Sequence, residues 1–287
     1  MLTILLPYWG DVNYMLKSVE SVLNQENDNW CLVIVDDNYP GNAVKNYLDT
    51  ICDSRIKYFR NVENLGANAN YRKALEYVNT SHFVMFGADD IMKPNYVDNM
   101  LTLIQKHEDV SIFHPGVEVI NGDGNLQANL LDKVKKFIRL KDGVYQGSQI
   151  ASRLMVGNFT YFPSITWKTS DVRSCNFRGD FHVTQDLALI CDLLLMDKLI
   201  LLGTTTTFQY RRHLGSDSSL KTLTGDRFGE EIRLCKDLST KFRRKGWYRA
   251  AIWATLRPTN RLHMMTLLPK VIINPKIFIK TLKGAIL

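Results

Sequence analysis

The chain of 287 residues is 45% hydrophobic and 23% charged, which excludes an intrinsically disordered chain and supplies apolar material for one large core or two small ones. Its formal charge of +7 is unevenly placed: residues 241–287 hold eleven Lys and Arg and no acid, leaving 25 basic against 29 acidic side chains in residues 1–240. That split argues against a nucleic-acid surface spread over the body of the protein, and no nucleic-acid partner is expected.

In chain order, residues 3–6 read as a first strand. Asp11 is placed to cap a helix over 12–23, where Met15, Leu16, Val19, Val22 and Leu23 share one face. A strand at 31–35 ends directly in Asp36, Asp37 and Asn38. A helix over 43–51, a strand at 56–60, a helix over 67–79 and a strand at 82–86 follow. Continuous apolar strands alternating with helices predict an α/β fold with a Rossmann-like, mostly parallel sheet flanked by helices. Ligands of such sheets bind beyond the carboxyl ends of the strands, where the polar residues after strands one, two and four lie. Beyond Pro94 the pattern predicts a helix to about His107 and strands at 110–114 and near 117–120. A polar loop region with a hairpin is expected over 121–147. Helices at 149–156 and 184–196 and strands at 164–168, 199–203 and 206–210 come next, then a loop over 213–225 and a helix over 226–245. The expected division is a catalytic domain over 1–225, with halves 1–115 and 116–225, and a helical, basic extension over 226–287.

The stretch HFVMFGADDIMKP, residues 82–94, ends an apolar strand in adjacent acids, Asp89 and Asp90. Two carboxylates at one spot repel, which raises a pKa or calls for a counter-cation. Hard oxygen ligands suit Mg²⁺ or Mn²⁺, completed by waters and substrate phosphates. Taken alone, the stretch reads first as a helix N-cap, with Asp90 or Asn95 capping the helix beyond Pro94. VIVDDN (33–38) repeats the design, with a turn as the plain alternative. In ENLGANANYRKAL (63–75), Asn68 and Asn70 stand at a helix start, a place that attracts phosphate and that Asn also fills as a simple cap.

No GxxxxGK[ST], no GxGxxG after a strand and no GxSxG occurs. The five cysteines are scattered, with no CxxC, so neither a disulfide framework nor a zinc knuckle is indicated and a reducing compartment fits. MLTILLPYWG is too short and uncharged for a signal peptide, and no run of 18 apolar residues exists. The expected location is cytoplasmic.

Four stretches in order, TILLPYWGDVNYMLKSVESVLNQ, LVIVDDN, NLGANANYRKAL and FVMFGADDIMKP, resemble a family 2 glycosyltransferase of the GT-A fold, strongly over residues 1–115 and more loosely to about 215. The resemblance implies a nucleotide-sugar donor, a divalent cation and inversion at the anomeric carbon. Pro7, Tyr8 and Trp9 match the start of the family's nucleotide pocket. Asp37 matches the acid that meets the base, with Asp36 beside it. Asp89 and Asp90 match the last two acids of a DxDD pattern, Asp89 near ribose or metal and Asp90 on the metal. Gly87 stands where that pattern has its first acid. The catalytic base matches Asp186, after Thr184 as N-cap and beside Gln185, with Asp180 and Asp192 as neighbouring alternatives. Arg211, Arg212 and His213 match the segment facing the leaving diphosphate, His213 as a candidate third metal ligand, and Gly215 to Gly225 as a lid.

TKFRRKGWYRAAIWATLRP (240–258) and KVIINPKIFIKTLKGAIL (270–287) interleave Lys and Arg with aromatic and aliphatic residues. Such amphipathic, basic segments favour an anionic membrane surface, and Pro258, Pro269 and Pro275 favour lying on it over crossing it. The expectation is thus an inverting, metal-dependent enzyme, peripheral on the inner face of the cell membrane. It moves a sugar from a nucleoside-diphosphate sugar, a UDP-sugar first, to a hydroxyl of a lipid-linked saccharide or oligosaccharide in polysaccharide or glycan assembly. The rivals are a nucleotidyltransferase of similar architecture, which lacks its Gly-rich basic loop here, and a non-catalytic scaffold binding saccharide or membrane. The sequence is silent on oligomeric state.

Overall fold

The computed structural model describes residues 1–127, 130–213 and 226–262. In order, the elements are β1 (Leu2–Tyr8), α1 (Val12–Leu23), β2 (Trp30–Asp36), α2 (Ala43–Thr50), β3 (Ile56–Arg60), α3 (Ala67–Glu76), β4 (His82–Met85) and β5 (Ile91–Met92). Then come α4 (Tyr96–Lys106), β6 (Val110–Ile120), α5 (Leu130–Ile138), β7 (Gly143–Tyr145) and α6 (Gly147–Val156). After a 3-10 turn at Phe162–Ser164 follow β8 (Thr166–Lys168), α7 (Thr169–Cys175), α8 (Gln185–Leu195) and β9 (Leu199–Arg211). Two C-terminal helices, α9 (Asp226–Arg244) and α10 (Tyr248–Leu256), complete the described chain.

Among the described residues all nine strands form one sheet, ordered β3-β2-β1-β4-β8-β6-β9-β5, with β7 added on β9. β3, β2, β1 and β4 run parallel, as does the β6–β9 pair, while β8, β5 and β7 run antiparallel to their neighbours. The apolar strands have no polar side because both sides are covered. Leu2, Ile4 and Leu6 of β1 pack with Met15 and Val19 of α1 and Val97 and Met100 of α4. Leu5 of β1 and Val33 and Val35 of β2 face the opposite core, with Ala74 and Leu75 of α3, Ile190 of α8 and Leu238 of α9.

The N-terminal half follows the expected order closely. Asp11 caps α1, accepting from the backbone N–H of Asn13 and Tyr14 at 2.7 and 3.2 Å. The second half departs from expectation in four places. The strands expected at 110–114 and 117–120 are one strand, β6, whose register shifts around Gly116 instead of breaking there. A Cβ at Gly116 would lie 2.3 Å from the Thr204 carbonyl oxygen, so the strands approach closely at that bulge. The strands expected at 199–203 and 206–210 likewise form one, β9. The region expected to be a loop with a hairpin, 121–147, contains α5 and β7, and α7 was not foreseen.

The expected halves 1–115 and 116–225 share the sheet, since β4 pairs with β8 and β8 with β6. The C-terminal helices share a core with it as well. Leu234, Leu238 and Phe242 of α9 and Ala250, Ala251 and Ala254 of α10 are buried in the cluster that holds Leu5 and Val35. No helix among the described residues is long and apolar enough to cross a membrane. The expected lid, Gly215 to Gly225, and the tail from residue 263 onward lie outside the described residues.

Candidate active site

A cleft of about 1160 Å³ opens at the carboxyl ends of β1, β2 and β4. Of the residues expected to form a site, Pro7, Tyr8, Trp9, Asp37, Asn70, Asp89, Asp90, Asp186, Arg212 and His213 line it. Six sequence-distant stretches are thereby brought together, because parallel strands deliver their carboxyl ends, and the helix starts that follow them, to one edge. Asp36, Asn68 and Arg211 sit behind this lining, held by other groups of the protein.

The acid pair after β4 is built around a missing side chain. A Cβ at Gly87 would lie 2.4 Å from Asp90 Oδ2 and 3.1 Å from Asp89 Oδ1. The glycine at the place of the pattern's first acid therefore leaves the volume that the Asp90 carboxylate fills. Asp90 Oδ1 accepts the backbone N–H of Arg211 at 2.7 Å. Its Oδ2 is buried with no hydrogen-bond partner among the described residues. Burial, and then the charge of Asp89, push the Asp90 carboxyl well above the ordinary carboxylate range, against the Arg211 N–H and charge. The Arg211 side chain donates to the carbonyls of Asp89, Asn121 and Gly122 at 2.7, 3.1 and 2.9 Å, and its guanidinium lies over the Tyr14 ring. It holds the acid-bearing turn by its main chain. His213 Nε2 lies 2.8 Å from Asp89 Oδ2.

A divalent cation fits this donor set. The buried Asp90 Oδ2 lacks a charge-neutralising partner among the described residues, and Asp89 stands beside it. Among the described residues, no group of three or more His, Cys, Asp or Glu is arranged to hold an ion by itself. The protein thus offers a carboxylate pair, and the remainder of a Mg²⁺ or Mn²⁺ shell would come from water and ligand oxygens, the common pattern for these ions.

The acids after β2 are both buried and both engaged. Asp36 accepts from the Tyr39 N–H at 2.7 Å and the Tyr58 hydroxyl at 2.5 Å. Asp37 accepts from Asn61 Nδ2 and from the backbone N–H of Leu65 and Gly66, at 2.8, 2.9 and 2.8 Å. Asp37 thereby shapes the loop leading into α3. Asn70 donates to the Val35 carbonyl at 3.0 Å, pinning α3 to β2. Asn68 donates to the carbonyls of Arg178, at 2.8 Å, and Phe181. It ties α3 to the approach of α8 instead of capping its own helix. Tyr39 packs against Tyr8 and Trp9, with ring centroids at 5.0 and 5.4 Å, and Trp9 is 53% exposed at the mouth of the cleft. This leaves an aromatic face for a planar ligand.

Across the cleft, Asp186 lies in the first turn of α8, where Asn158 Nδ2 donates to its Oδ2 at 3.3 Å. Burial raises its pKa above the ordinary range; the Leu187 N–H, the Lys135 charge, the Asn158 bond and Arg227 work in the opposite direction. A carboxylate with a raised pKa and a lining position suits proton abstraction. Of the alternatives, Asp192 pairs with Arg178, and neither it nor Asp180 is among the residues that line the cleft.

Three contributors were not anticipated. Lys135 of α5 lines the cleft, donates to the Thr160 carbonyl at 3.1 Å and lies over the Tyr161 ring. Burial and then the charges of Arg212 and Arg227 bring its pKa down to about 8. Arg212 itself forms a two-pronged pair with Asp132 at 2.8 and 2.9 Å. Arg227 and Glu230 enter from α9. Arg227 lines the cleft and pairs with Glu231 at 2.9 Å. Glu230 binds the main chain just before Asp186. The four-residue spacing of Leu130, Val134 and Ile138 was a signal for α5. For Glu230 the sequence held none, since its partners are 46 to 48 positions away.

Comparisons with known proteins identify the family and the fold. The sequence model described as Glycosyl transferase family 2 matches residues 3–181. An uncharacterized glycosyltransferase of Methanocaldococcus jannaschii, MJ1057, is 27% identical over 178 residues, 60% of this chain and 57% of that protein. The Escherichia coli UDP-Glc:alpha-D-GlcNAc-diphosphoundecaprenol beta-1,3-glucosyltransferase WfgD is 28% identical over 123 residues, 43% of this chain and 48% of that protein. The chain therefore spans about half the length of these two relatives. Among solved structures, the mannosyltransferase PcManGT from Pyrobaculum calidifontis, in complex with GDP-Man and Mn²⁺, superposes with a TM-score of 0.64 at 11% identity, covering 99% of this chain and 86% of that one. That likeness bears out the GT-A fold implied by the sequence resemblance.

Proposed function

The chain belongs to glycosyl transferase family 2, and from that premise we propose that it transfers a sugar, with inversion, from a nucleoside-diphosphate sugar to a hydroxyl of a lipid-linked saccharide. One observation carries the reading: the acid pair Asp89–Asp90 and the carboxylate Asp186, nearly a hundred positions apart, line a single cleft. The first is suited to a donor's diphosphate and the second to an acceptor's proton. The name of WfgD, with its UDP-Glc donor and diphosphoundecaprenol acceptor, supports a UDP-sugar and a lipid-linked acceptor.

In this reading the nucleobase lies against Tyr8, Trp9 and Tyr39, and Asp37 faces it from the end of β2. Mg²⁺ or Mn²⁺ on Asp89 and Asp90, when bound, would neutralise the diphosphate and the negative charge that builds on it as it leaves. His213 and Arg212 flank the same region. Asp186 takes the proton of the acceptor hydroxyl as its oxygen attacks the anomeric carbon from the face opposite the nucleotide. General-base help of this kind contributes about 10²–10⁴-fold. Asn158 holds one oxygen of Asp186 in place, and the Lys135 charge favours the ionised carboxylate against the effect of burial.

The C-terminal helices are proposed to meet an anionic membrane surface. Tyr248, Ile252 and Leu256, four residues apart on α10, are 68%, 54% and 45% exposed. The chain around and beyond them carries only basic charge. Each Lys or Arg near anionic lipid adds roughly 1 kcal/mol. An acceptor on that surface and an enzyme held to it would meet in two dimensions.

The deciding experiment is calorimetry of UDP and GDP binding with and without Mn²⁺, together with release of UDP or GDP from UDP-glucose, UDP-GlcNAc and GDP-mannose. Mn²⁺-dependent binding that disappears in an Asp89→Ala, Asp90→Ala protein is expected. Absence of binding under every condition would overturn the reading.

A further inference from the structure

The main chain that leads into α8 is held by an acid from another helix. Thr184 stands at the N-cap of α8, but its side chain makes no cap bond to the helix. Instead Glu230 of α9 binds the main chain that runs into the helix, up to the N-cap residue. Its Oε2 accepts the His182 N–H at 2.9 Å, and its Oε1 accepts the N–H groups of Val183 and Thr184 at 2.6 and 2.7 Å and the Thr184 hydroxyl at 3.0 Å. Glu230 is 5% exposed. Burial alone would raise its pKa, yet the four donors hold it below the ordinary range, so it carries its charge. A carboxylate engaged by four donors of its own chain is not placed to meet substrate.

Those donors belong to the residues immediately before Asp186. His182, Val183, Thr184, Gln185 and Asp186 all line the cleft. The same segment is gripped at its other end by Asn68, through the Arg178 and Phe181 carbonyls. Between the two grips only a few bonds of main chain remain, and the first helical turn begins at once with the Ala188 N–H donating to the Thr184 carbonyl at 2.9 Å. A main chain held by a rigid acid up to the N-cap enters the helix in one orientation. The direction in which the Asp186 carboxylate points follows from it.

We propose that Glu230 is a positioning residue for transfer: its carboxylate fixes the main chain of residues 182–184 and, through it, aims Asp186 at the acceptor hydroxyl. This rests on the reading of Asp186 as the base. It also makes α9 part of the catalytic unit, since the base is aimed from there.

The test is a double-mutant cycle on the full chain, read as Mn²⁺-dependent UDP or GDP release from UDP-glucose, UDP-GlcNAc or GDP-mannose with water as acceptor. In that reaction the water oxygen bonds to the anomeric carbon, the bond to the nucleotide diphosphate breaks with its electron pair, and the water proton passes to Asp186. Asp186→Asn is expected to lower kcat about 10²–10⁴-fold. Glu230→Ala is expected to lower kcat about 10–100-fold, the scale of a misaimed group, with donor KM within about twofold. Glu230→Gln keeps the side chain's length and one acceptor oxygen; it should fall between and serves if the alanine variant does not fold. In the Asp186→Asn background, either Glu230 change should cost less than about twofold, because it acts through the group already removed. An equal loss in both backgrounds, an unchanged kcat in folded protein, or a loss that appears in donor KM would overturn the proposal while leaving Asp186 in its role. Full activity of Asp186→Asn, or no release by the unmodified chain from any of the three donors, would overturn both.

Discussion

The backbone N–H of Arg211, at the end of β9, donates to Asp90 Oδ1 at 2.7 Å and so joins the sheet's second half to the acid pair of its first. The bond satisfies one carboxylate oxygen and leaves Oδ2 buried beside Asp89. A buried charge facing another of the same sign costs stability unless it is neutralised. Asp90→Asn keeps an oxygen for Arg211 and removes the charge. Its metal-free melting temperature is expected to equal or exceed that of the parent, while Mn²⁺-dependent UDP binding falls at least about tenfold, one metal ligand being lost. Calorimetry and thermal melts measure the two sides.

The same carboxyl sets a pH dependence. Its folded pKa is raised above the ordinary 3.8. The stability it contributes is thus complete below that ordinary value and is lost as pH rises through the raised folded one. Metal-free protein should lose melting temperature relative to Asp90→Asn as pH climbs toward neutrality. Mn²⁺, by favouring the ionised form, should close the gap.

Gly87→Ala asks whether the volume over residue 87 is needed. The new Cβ would fall 2.4 Å from Asp90 Oδ2, closer than any unstrained contact, so the acid pair must shift. Mn²⁺-dependent nucleotide binding is expected to weaken about tenfold or more, with a destabilisation of about 1–3 kcal/mol from overpacking. Titration calorimetry beside urea unfolding separates the two effects.

Transfer should require ionised Asp186, so log kcat is expected to fall with decreasing pH through its raised pKa. Lys135 pulls that pKa down by its charge. Lys135→Met should therefore move the acid limb to higher pH, because the charge that favours the ionised carboxylate is gone. A limb that stays in place would separate Lys135 from the base.

Asn68→Ala should act on stability and leave nucleotide affinity alone. The side chain donates to the carbonyls of Arg178 and Phe181, and both lose that donor in a buried setting. About 1–3 kcal/mol of unfolding free energy is expected to go, with UDP affinity within about twofold. A large drop in affinity at unchanged stability would return Asn68 to the donor site.

At the C-terminal end, Ile252→Asp places a charge on the exposed face of α10 without touching its buried alanines. Co-sedimentation with phosphatidylglycerol vesicles is expected to weaken at least about fivefold, since burial of an aliphatic side chain is worth about 1.5–3 kcal/mol. Unchanged sedimentation would move the membrane contact away from α10.

Much of the N-terminal half was legible in the sequence. Ile4, Val33, Val35 and Val84 lie in unbroken apolar runs, and such runs between helices imply parallel strands covered on both sides. Parallel strands put Tyr8, Asp37 and the acid pair at one edge whatever the details of the loops. Periodicity misread β6 and β9, because Pro115, Gly116 and the threonines at 204–207 look like breaks. In the sheet they are a bulge, tolerated because Gly116 has no side chain to keep the Thr204 carbonyl away.

What the sequence by itself determined, then, was the order of elements in the N-terminal half, the edge at which the cleft forms and the acids that stand there, because these follow from local pattern and strand polarity. The tertiary structure decided what each polar group is for. Asn68 and Arg211 turn out to bind carbonyls brought to them from 110 to 113 and from 89 to 122 positions away, and Glu230 to bind N–H groups 46 to 48 positions away. A buried side chain must satisfy its hydrogen bonds with whatever the fold sets beside it, and that neighbour is written nowhere near it in the chain.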